Sequence, residues 1–271
     1  MMRALYTGAT GMIAQQTNLD NISNNLANVN TVGYKEEKTE FKSLLYQNIQ
    51  TRTTTANGEE KPIPAQVGLG TRVASTTSIY TQGALAESDN ATDFAIVGDG
   101  FFAVRGADGE TYYTRAGNFV WSEGTNGITL STSDGYAVLD TNNQPIILPN
   151  GVNSASVAVS QDGAFGYKNA EGVYVDMNQS FGLFQFNNPS GLEKVGDNLL
   201  EVTDASGAAL NESTTATLTP SQVRQNYLES SNVQVATEMV NMIITQRAYQ
   251  LNSKAITAAD EMLEQANNVR R

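Results

Sequence analysis

Apolar side chains near the C-terminus recur at every seventh position, a spacing that keeps them on one face of a helix. The residues of this series are Val235, Met242, Tyr249, Ile256 and Leu263, with Met239 at the intermediate position of the same seam. Residues 233–266 contain neither proline nor glycine and are rich in good helix formers. The pattern therefore predicts a long helix over 233–266, and Ser231 with Gln234 predicts a capping box at its start.

The N-terminal residues 1–30 show the same seven-residue spacing of apolar side chains. This apolar series is Leu5, Met12, Leu19 and Leu26, extended on adjacent positions by Ile22 and Val29. A polar stripe beside it is formed by Asn18, Asn21, Asn25 and Asn28. Asparagine is a poor helix former, so the stripe indicates either amide contacts with a neighbouring element or a solvated face. Gly8 and Gly11 would allow another helix to approach closely, and Gly33 is predicted to end this helix.

The apolar positions of the C-terminal helix are not confined to one narrow stripe. Met242, Ile243 and Ile244 are consecutive and together cover most of its circumference. Since a two-stranded coiled coil needs only a narrow stripe, a helix with apolar side chains on several sides requires several neighbours. Either the terminal helices form a hairpin that packs on a globular core of the same chain, or the ends polymerise. Under the second interpretation, both apolar series and the asparagine stripe are subunit-interface residues.

Residues 50–66 have the composition of an extended excursion from the fold. The residues that carry this prediction are Thr53, Thr54, Thr55, Asn57, Gly58, Pro62 and Pro64. Threonine favours extended backbone, Asn-Gly is a turn signal and proline restricts φ. The segment is thus predicted to be either a long hairpin, acting as an arm that stiffens an assembly, or a flexible exposed linker. Residues 35–46, which precede it, fit a short helix or an extended arm.

From residue 67 to about residue 219, the period of the apolar positions changes to two. Short runs rich in aromatic and β-branched residues alternate with hairpin signals at Asp108-Gly109, Asp134-Gly135 and Asp162-Gly163. This pattern predicts an antiparallel all-β domain of about ten or more short strands, with its two ends close together. The predicted fold class is α+β: long N- and C-terminal helices paired in a coiled-coil-like layer, a central antiparallel β domain, and extended β arms between them.

Composition restricts the chemistry open to this chain. Among its 271 residues there is no cysteine and no histidine, which excludes disulfides, thiolate or imidazole metal sites and the usual catalytic triads. No cofactor or metal site is predicted. A net charge of −12 without clustered lysine or arginine argues against nucleic acid or an anionic membrane as a partner. The sequence has no apolar run long enough for membrane insertion, and polar residues interrupt the N-terminal segment where a cleaved secretory signal would need an apolar stretch.

Several blocks of the sequence resemble the axial proteins of bacterial flagella, which are the rod, hook and hook-associated proteins. Residues 24–35 (NNLANVNTVGYK) are similar to the N-terminal segment that these proteins share. Residues 81–104 and 113–119 (YTRAGNF) resemble the start of the rod and hook β domain, and residues 229–263 resemble the C-terminal helix of the family. Within the family, the length, the GDGFF block and the QRAYQLNSKA block are most similar to the distal rod subunits of the basal body.

The resemblance implies a structural protein without enzymatic activity. A distal rod subunit would polymerise helically into a rigid hollow shaft that transmits torque from motor to hook and conducts exported subunits. Residues 1–30 with 231–271 would form the inner helical layer, 31–66 with 220–230 a connecting region, and 67–219 an outer β domain. The implied partners are further copies of the chain in a helical tube, other rod proteins, the hook protein and the bushing ring proteins around the rod. The implied location is the flagellar basal body, outside the cytoplasm, after export by the flagellar apparatus without a cleaved signal peptide.

Other assignments stay open on the residues alone. A second rod protein of similar size, or a short hook protein, would carry similar terminal blocks. A secreted β-rich adhesin with a helical stalk would need an exposed aromatic platform, and the chain has a single tryptophan. A carboxylate-based glycosidase would need two carboxylates about 5–10 Å apart in a cleft.

Overall fold

The contacts between helices and strands divide the chain into two units. The structure, a computed structural model, describes residues 2–50, 65–124, 127–149, 152–168, 173–215 and 217–268. The helical unit comprises residues 1–27, 37–78 and 234–271, and the β unit comprises residues 28–36 and 79–233. The chain therefore passes between the units four times, after residues 27, 36, 78 and 233.

Two long helices dominate the helical unit, as the seven-residue spacing predicts. The N-terminal helix α1 (Met2–Ala27) has 26 residues and the C-terminal helix α2 (Val235–Asn268) has 34. At about 1.5 Å per residue they are roughly 39 and 51 Å long. No helix in the described part of the chain is both long and apolar enough to cross a lipid bilayer.

The end of α1 differs from the prediction. The helix stops at Ala27 and residues 28–33 form turns, so Val29 lies outside the helix and Gly33 does not cap it. Gly33 has a φ of +69° and lies against the Arg115–Ala116 backbone, where a Cβ would come within 2.6 Å of the Ala116 nitrogen. Close packing and left-handed backbone, rather than a helix end, therefore require glycine at this position.

The start of α2 also differs from the prediction. The hydroxyl Oγ of Ser231 accepts a hydrogen bond from the amide of Val233 (3.3 Å) and not from the first turn of the helix. The helix begins at Val235, and the Glu238 amide donates to the Gln234 carbonyl (3.0 Å). The predicted capping box of Ser231 with Gln234 is therefore not formed, because the helix starts too late for Ser231 to reach it.

A long β ribbon completes the helical unit. Its strands are β1 (Glu37–Ser43), β2 (Tyr46–Gln50), β3 (Ala65–Gly68) and β4 (Thr71–Ser78). β1 pairs with β4 and β2 pairs with β3, both antiparallel. Backbone hydrogen bonds from Leu44 to Gly70 (2.9 Å) and from Leu69 to Leu45 (3.2 Å) connect the two pairs. Of the two predictions for residues 35–46, the extended arm is therefore correct. The arm residues Thr53, Thr54, Thr55, Asn57, Gly58, Pro62 and Pro64 lie outside the described residues, between β2 and β3.

The β unit consists of short strands joined by tight turns. In chain order they are β5 (Leu85–Glu87), β6 (Phe94–Val97), β7 (Phe101–Arg105), β8 (Thr111–Thr114), β9 (Val120–Gly124), β10 (Gly127–Ser131), β11 (Ala137–Val138), β12 (Ile147–Leu148), β13 (Val157–Val159), β14 (Ala164–Lys168), β15 (Tyr174–Ser180), β16 (Leu183–Gln185), β17 (Glu193–Gly196), β18 (Leu199–Glu201), β19 (Leu210–Asn211), β20 (Gln222–Gln225) and β21 (Tyr227–Glu229). Two 3₁₀ turns, Ser154–Ser156 and Pro189–Gly191, lie between strands.

The strand pairings of the described chain are antiparallel, as predicted. A ten-stranded sheet follows the order β12-β10-β11-β7-β8-β18-β17, with β16 pairing with β7 and β19, and β9 pairing with β10. A smaller sheet has the order β13-β14-β15. β5 pairs with β21 and β6 with β20, so the first and last strands of the β unit lie side by side. The predicted domain had the limits 67 and 219, and the closeness of those two ends stays a prediction.

The predicted Asp-Gly hairpin turns are also confirmed. Gly109, Gly135 and Gly163 have φ values of +88°, +90° and +81°. They lie in the hairpins β7–β8, β10–β11 and β13–β14. A positive φ is readily available to glycine and rare for other residues.

Aromatic side chains fill the core between these strands. The largest cluster includes Phe94, Phe102, Phe119, Phe165 and Phe181. Their rings pack at centroid distances of 4.7–6.4 Å. Trp121 packs against this cluster, and Tyr113 lies in a second one.

Candidate functional site

The helices α1 and α2 meet along a seam of polar side chains. Asn25 Nδ2 donates a hydrogen bond to Glu238 Oε2 (3.4 Å). Asn18 Nδ2 donates to Thr245 Oγ1 (3.0 Å). From the first contact to the second, the position on α1 moves back by seven residues, whereas the position on α2 moves forward by seven. The two helices are therefore antiparallel, with a heptad register.

Two glycines continue the same seam toward the N-terminus of α1. Asn252 lies over Gly11, where a Cβ would be 2.8 Å from Asn252 Nδ2. Ile256 lies over Gly8, where a Cβ would be 2.9 Å from Ile256 Cγ1. Gly8 and Gly11 therefore allow the close helix approach that the sequence predicts.

The asparagine stripe of α1 makes contacts within its own chain. Asn21 Nδ2 donates to Thr39 Oγ1 of β1 (2.8 Å). Asn25 is bound on both amide atoms by the backbone of Glu37: Nδ2 donates to the Glu37 carbonyl (2.8 Å) and Oδ1 accepts from the Glu37 amide (2.9 Å). Asn18 contacts α2, as described above. Asn28 belongs to the turn after the helix, where its Oδ1 accepts from the Thr31 hydroxyl (3.0 Å). Asn18, Asn21 and Asn25 thus make amide contacts with neighbouring elements of the same chain, whereas Asn28 bonds within its own turn. The role of the stripe at a subunit interface stays a prediction.

The predicted apolar series lie beside this seam and are incompletely covered in one chain. Ile22 is buried, whereas Val235, Met239 and Tyr249 are exposed. The half-buried members of the series are Leu5, Met12, Leu19, Leu26, Met242, Ile256 and Leu263, and Val29 is half-buried in the turn after α1. Their role as subunit-interface residues remains a prediction.

A further apolar face of α2 points away from α1. Val240, Leu251 and Met262 are eleven residues apart, and Ile244 lies on the same face. Eleven residues are close to three whole turns, so the side chains stay aligned along a straight helix. These four side chains are between 52% and 66% exposed. The sequence already indicates apolar positions on several sides of this helix, and the structure shows which of them are exposed.

The helix α1 has a corresponding exposed face. Met2, Tyr6 and Ile13 are spaced by four and seven residues, which aligns them on the side opposite Gly8 and Gly11. Their side chains are 65–69% exposed. The helices thus contact each other mainly through polar and small residues, with Ile256 over Gly8 as an apolar contact, and each leaves large apolar side chains exposed on its far side.

The β unit contains a buried ionic group that the sequence interpretation did not identify. Lys35 Nζ lies 2.6 Å from Glu229 Oε1, and Arg115 Nη1 lies 3.3 Å from Glu229 Oε2. The side chains of Lys35, Arg115 and Glu229 are only 4%, 2% and 1% exposed. Burial lowers the pKa of both Lys35 and Arg115, while Glu229 acts in the opposite direction on each.

Backbone groups complete the coordination of these charges. Lys35 Nζ also donates to the Thr81 carbonyl (2.8 Å). The Gly83 amide donates to Glu229 Oε1 (2.9 Å), and the Gly33 amide donates to the Glu229 carbonyl (2.8 Å). Buried charges require this kind of pairing and hydrogen bonding, since each is costly when unpaired.

Asn232 extends the group by joining three backbone segments. Its Oδ1 accepts from the Glu36 amide (2.7 Å), and its Nδ2 donates to the Ile79 carbonyl (2.8 Å). The Ile79 amide in turn donates to the Glu36 carbonyl (2.8 Å). We refer to Lys35, Arg115, Glu229 and Asn232 together as the junction cluster.

The junction cluster and its backbone partners Thr81 and Gly83 together draw on every block that carries the family resemblance. Lys35 belongs to residues 24–35, Arg115 to residues 113–119, and Glu229 and Asn232 to residues 229–263, while Thr81 and Gly83 come from residues 81–104. No local pattern in the sequence signals this cluster: Lys35 is followed directly by Glu36, Glu37 and Lys38, and residues 229–263 carry further charges. In the described ranges, no group of three Asp, Glu, His or Cys side chains is arranged to hold a metal ion.

Three family models match the chain. The model for flagella basal body rod proteins matches residues 5–35, which cover most of α1 and the turn after it. The model for the D1 domain of the flagellar hook protein FlgE/F/G matches residues 95–167 in the β unit. The model for the C-terminal part of the flagellar basal body rod FlgEFG proteins matches residues 224–269, which include α2.

Curated relatives match over the full length. The flagellar basal-body rod protein FlgG of Borreliella burgdorferi is 41% identical over 273 residues, covering 100% of both chains. FlgG of Bacillus subtilis is 38% identical over 271 residues, also covering 100% of both. The flagellar hook-basal body complex protein FlhP of Bacillus subtilis is 30% identical over 277 residues, with the same coverage.

A solved structure of the flagellar hook protein FlgE2 of Helicobacter pylori shares 17% identity and a TM-score of 0.24, over 65% of this chain and 47% of that chain. That similarity is too low to support a structural argument. The full-length relatives and the three family models are sufficient by themselves. This chain belongs to the flagellar basal-body rod protein family.

Proposed function

We propose that this chain is a structural subunit of the flagellar distal rod and that it polymerises into a helical tube through α1 and α2. The proposal is supported by the family and by the exposed apolar faces of both helices. An apolar face on the far side of each paired helix is covered only when further subunits pack around it. A contact between different surfaces of identical subunits repeats without closing and builds a helical filament.

The tube would act as a rigid hollow shaft that transmits torque from motor to hook and lets exported subunits pass. The partners we propose are other rod proteins, the hook protein and the bushing ring proteins around the rod. The proposed location is the basal body beyond the cytoplasmic membrane, reached by flagellar export.

Single substitutions on the far face of α2 test this proposal. Leu251 is 66% exposed in one chain, so Leu251→Asp should leave the subunit folded. In a polymer, covering Leu251 would contribute about 1–2 kcal/mol, and a buried unpaired aspartate would cost several more. We therefore expect tubes or short rods of the unaltered protein, and none of Leu251→Asp, in negative-stain electron micrographs of concentrated protein.

Gln250→Asp is the matched control, because it places the same charge on a neighbouring exposed position of α2. Ile256→Asp would be a poorer test, since Ile256 also contacts Gly8 within the chain and its loss would disturb the helix pair. Normal tubes from Leu251→Asp would contradict the proposed role of this face. Failure of the unaltered protein to form any regular polymer would contradict the proposed function itself.

A further inference from the structure

We propose that Glu229 is the positioning residue of the subunit: its buried carboxylate holds Lys35 and Arg115 so that three of the chain's connecting segments leave the β unit as one fixed group. The inference concerns residues that are all within the β unit. Its consequence for assembly rests on the proposed function as a polymerising rod subunit.

Connectivity is the first observation behind this proposal. The chain passes out of or into the β unit at residues 36, 79 and 233, in addition to residue 28. Glu36, Ile79 and Asn232 are hydrogen-bonded to one another, with distances of 2.7 and 2.8 Å. The ends of three connecting segments are therefore joined at one place, although they are far apart in the sequence.

Charge is the second observation. The carboxylate of Glu229 is shared between the two cations Lys35 and Arg115, and all three side chains are almost completely buried. Removing the carboxylate charge would deprive two buried cations of their salt-bridge partner and leave only the carboxylates of Asp99 and Glu212 to act on them, which is strongly unfavourable. Removing Lys35 instead would leave a neutral Arg115–Glu229 pair. Glu229 is therefore the residue on which the cluster depends.

The contacts of Glu229 connect this charge to the connecting segments. Its side chain accepts from the Gly83 amide, next to the segment that enters at Ile79, and its carbonyl accepts from the Gly33 amide. Its own chain continues through Asn232 toward α2. Separate flexible linkers would each rotate freely about single bonds, whereas joined segments move together. In a shaft under torque, this arrangement would share the load among three segments of each subunit.

Hydrogen exchange of the full chain in monomeric form tests the cluster directly. In Glu229→Gln the side chain keeps its shape and can still accept hydrogen bonds, but loses its charge. We expect the Gly33, Ile79 and Gly83 amides to exchange on the order of 100-fold faster, while buried amides of β7 keep their rates. Glu201→Gln, at an exposed position of β18, is the matched control and should change none of these rates.

A double variant separates loss of charge balance from general damage. Glu229→Gln with Lys35→Met removes one of the two unpaired cations, so protection of the Gly33 and Gly83 amides should be largely restored relative to Glu229→Gln alone. Unchanged exchange in Glu229→Gln would overturn the proposal. Equal acceleration in β7 would overturn it too, because the charge would then support the whole unit rather than the connecting segments. Absence of rescue in the double variant would show that charge balance is not the cause.

Assembly distinguishes this proposal from the function on which it rests. We expect Glu229→Gln to form fewer or irregular tubes and the double variant to form more regular ones. Loosened amides with normal tubes would overturn the positioning role and leave the rod assignment intact. If the unaltered protein forms no tubes, the rod function fails, and the exchange result still decides whether the cluster holds the segments.

Discussion

At single positions, α1 and α2 contact each other mainly through small and polar side chains, with Ile256 over Gly8 as an apolar contact. Asn18 and Asn25 bind α2, and Gly11 leaves space for Asn252. Buried amides specify register more strictly than apolar contacts do, because a shifted amide loses its hydrogen bonds. The large apolar side chains of both helices therefore remain available for neighbouring subunits.

The buried Lys35 gives a prediction at the same scale. Burial lowers its pKa below the ordinary value of 10.5. Between the lowered pKa and 10.5, the unfolded chain binds more protons than the folded one, so the contribution of Lys35 makes stability rise with pH. We expect the unfolding free energy of the unaltered protein, relative to Lys35→Met, to increase as the pH is raised toward 10.5. Urea unfolding at several pH values measures this difference.

Lys38→Met is the control for that experiment, because Lys38 is an exposed lysine on β1. The difference in unfolding free energy between the unaltered protein and Lys38→Met should depend less on pH than the difference for Lys35→Met. If the unfolding free energy of the unaltered protein relative to Lys35→Met decreased as the pH rises, the expected sign would be contradicted.

At the scale of elements, the β ribbon and α1 run side by side. Thr39 and Glu37 of β1 bind Asn21 and Asn25 near the C-terminal end of α1. Gly70, between β3 and β4, lies against Thr10 nearer the N-terminal end. The ribbon thus follows the helix back toward its start, and its strands β2 and β3 continue to the segment that contains the predicted arm.

Deleting Thr51 to Lys61 tests whether that arm stiffens the shaft. The flanking strands β2 and β3 pair with each other on their own, so the ribbon should still form and the rods should still assemble. Without a brace between subunits, neighbours slide more easily, and sliding is what bending a tube requires. We therefore expect curved or bent rods in electron micrographs. A replacement of the same segment by glycine and serine of equal length is the control for length, and straight rods from the deletion would rule out a bracing role.

At the scale of the whole molecule, the two units differ in how their cores are built. The β unit has two buried clusters of aromatic and aliphatic side chains. The helical unit has few buried apolar residues, among them Ala14, Ile22 and Ala259. Since long helices depend on packing for most of their stability, the β unit is expected to be the more stable of the two.

Removing residues 234–271 tests this difference. The truncation takes away α2 and its apolar faces but keeps Asn232 and every strand of the β unit. We expect a folded β unit that shows cooperative thermal unfolding by circular dichroism and no tubes by light scattering. The full chain in the same buffer is the reference. Tubes from the truncated chain would show that α2 is not required for polymerisation, and loss of the cooperative transition would show that the β unit depends on it.

The sequence by itself determined the elements of this protein, because element type depends on local periodicity. Spacing by seven predicted α2 over 233–266, where it runs over Val235–Asn268, and period two with Asp-Gly turns predicted the β hairpins. Only the tertiary structure decided which faces meet. The seam runs through Asn25 and Glu238 and takes in only Ile256 of the apolar series of α2. Lys35 and Glu229 pair across 194 residues of sequence, and no local pattern encodes such a pair, because burial of a charge depends on partners that only the fold brings together.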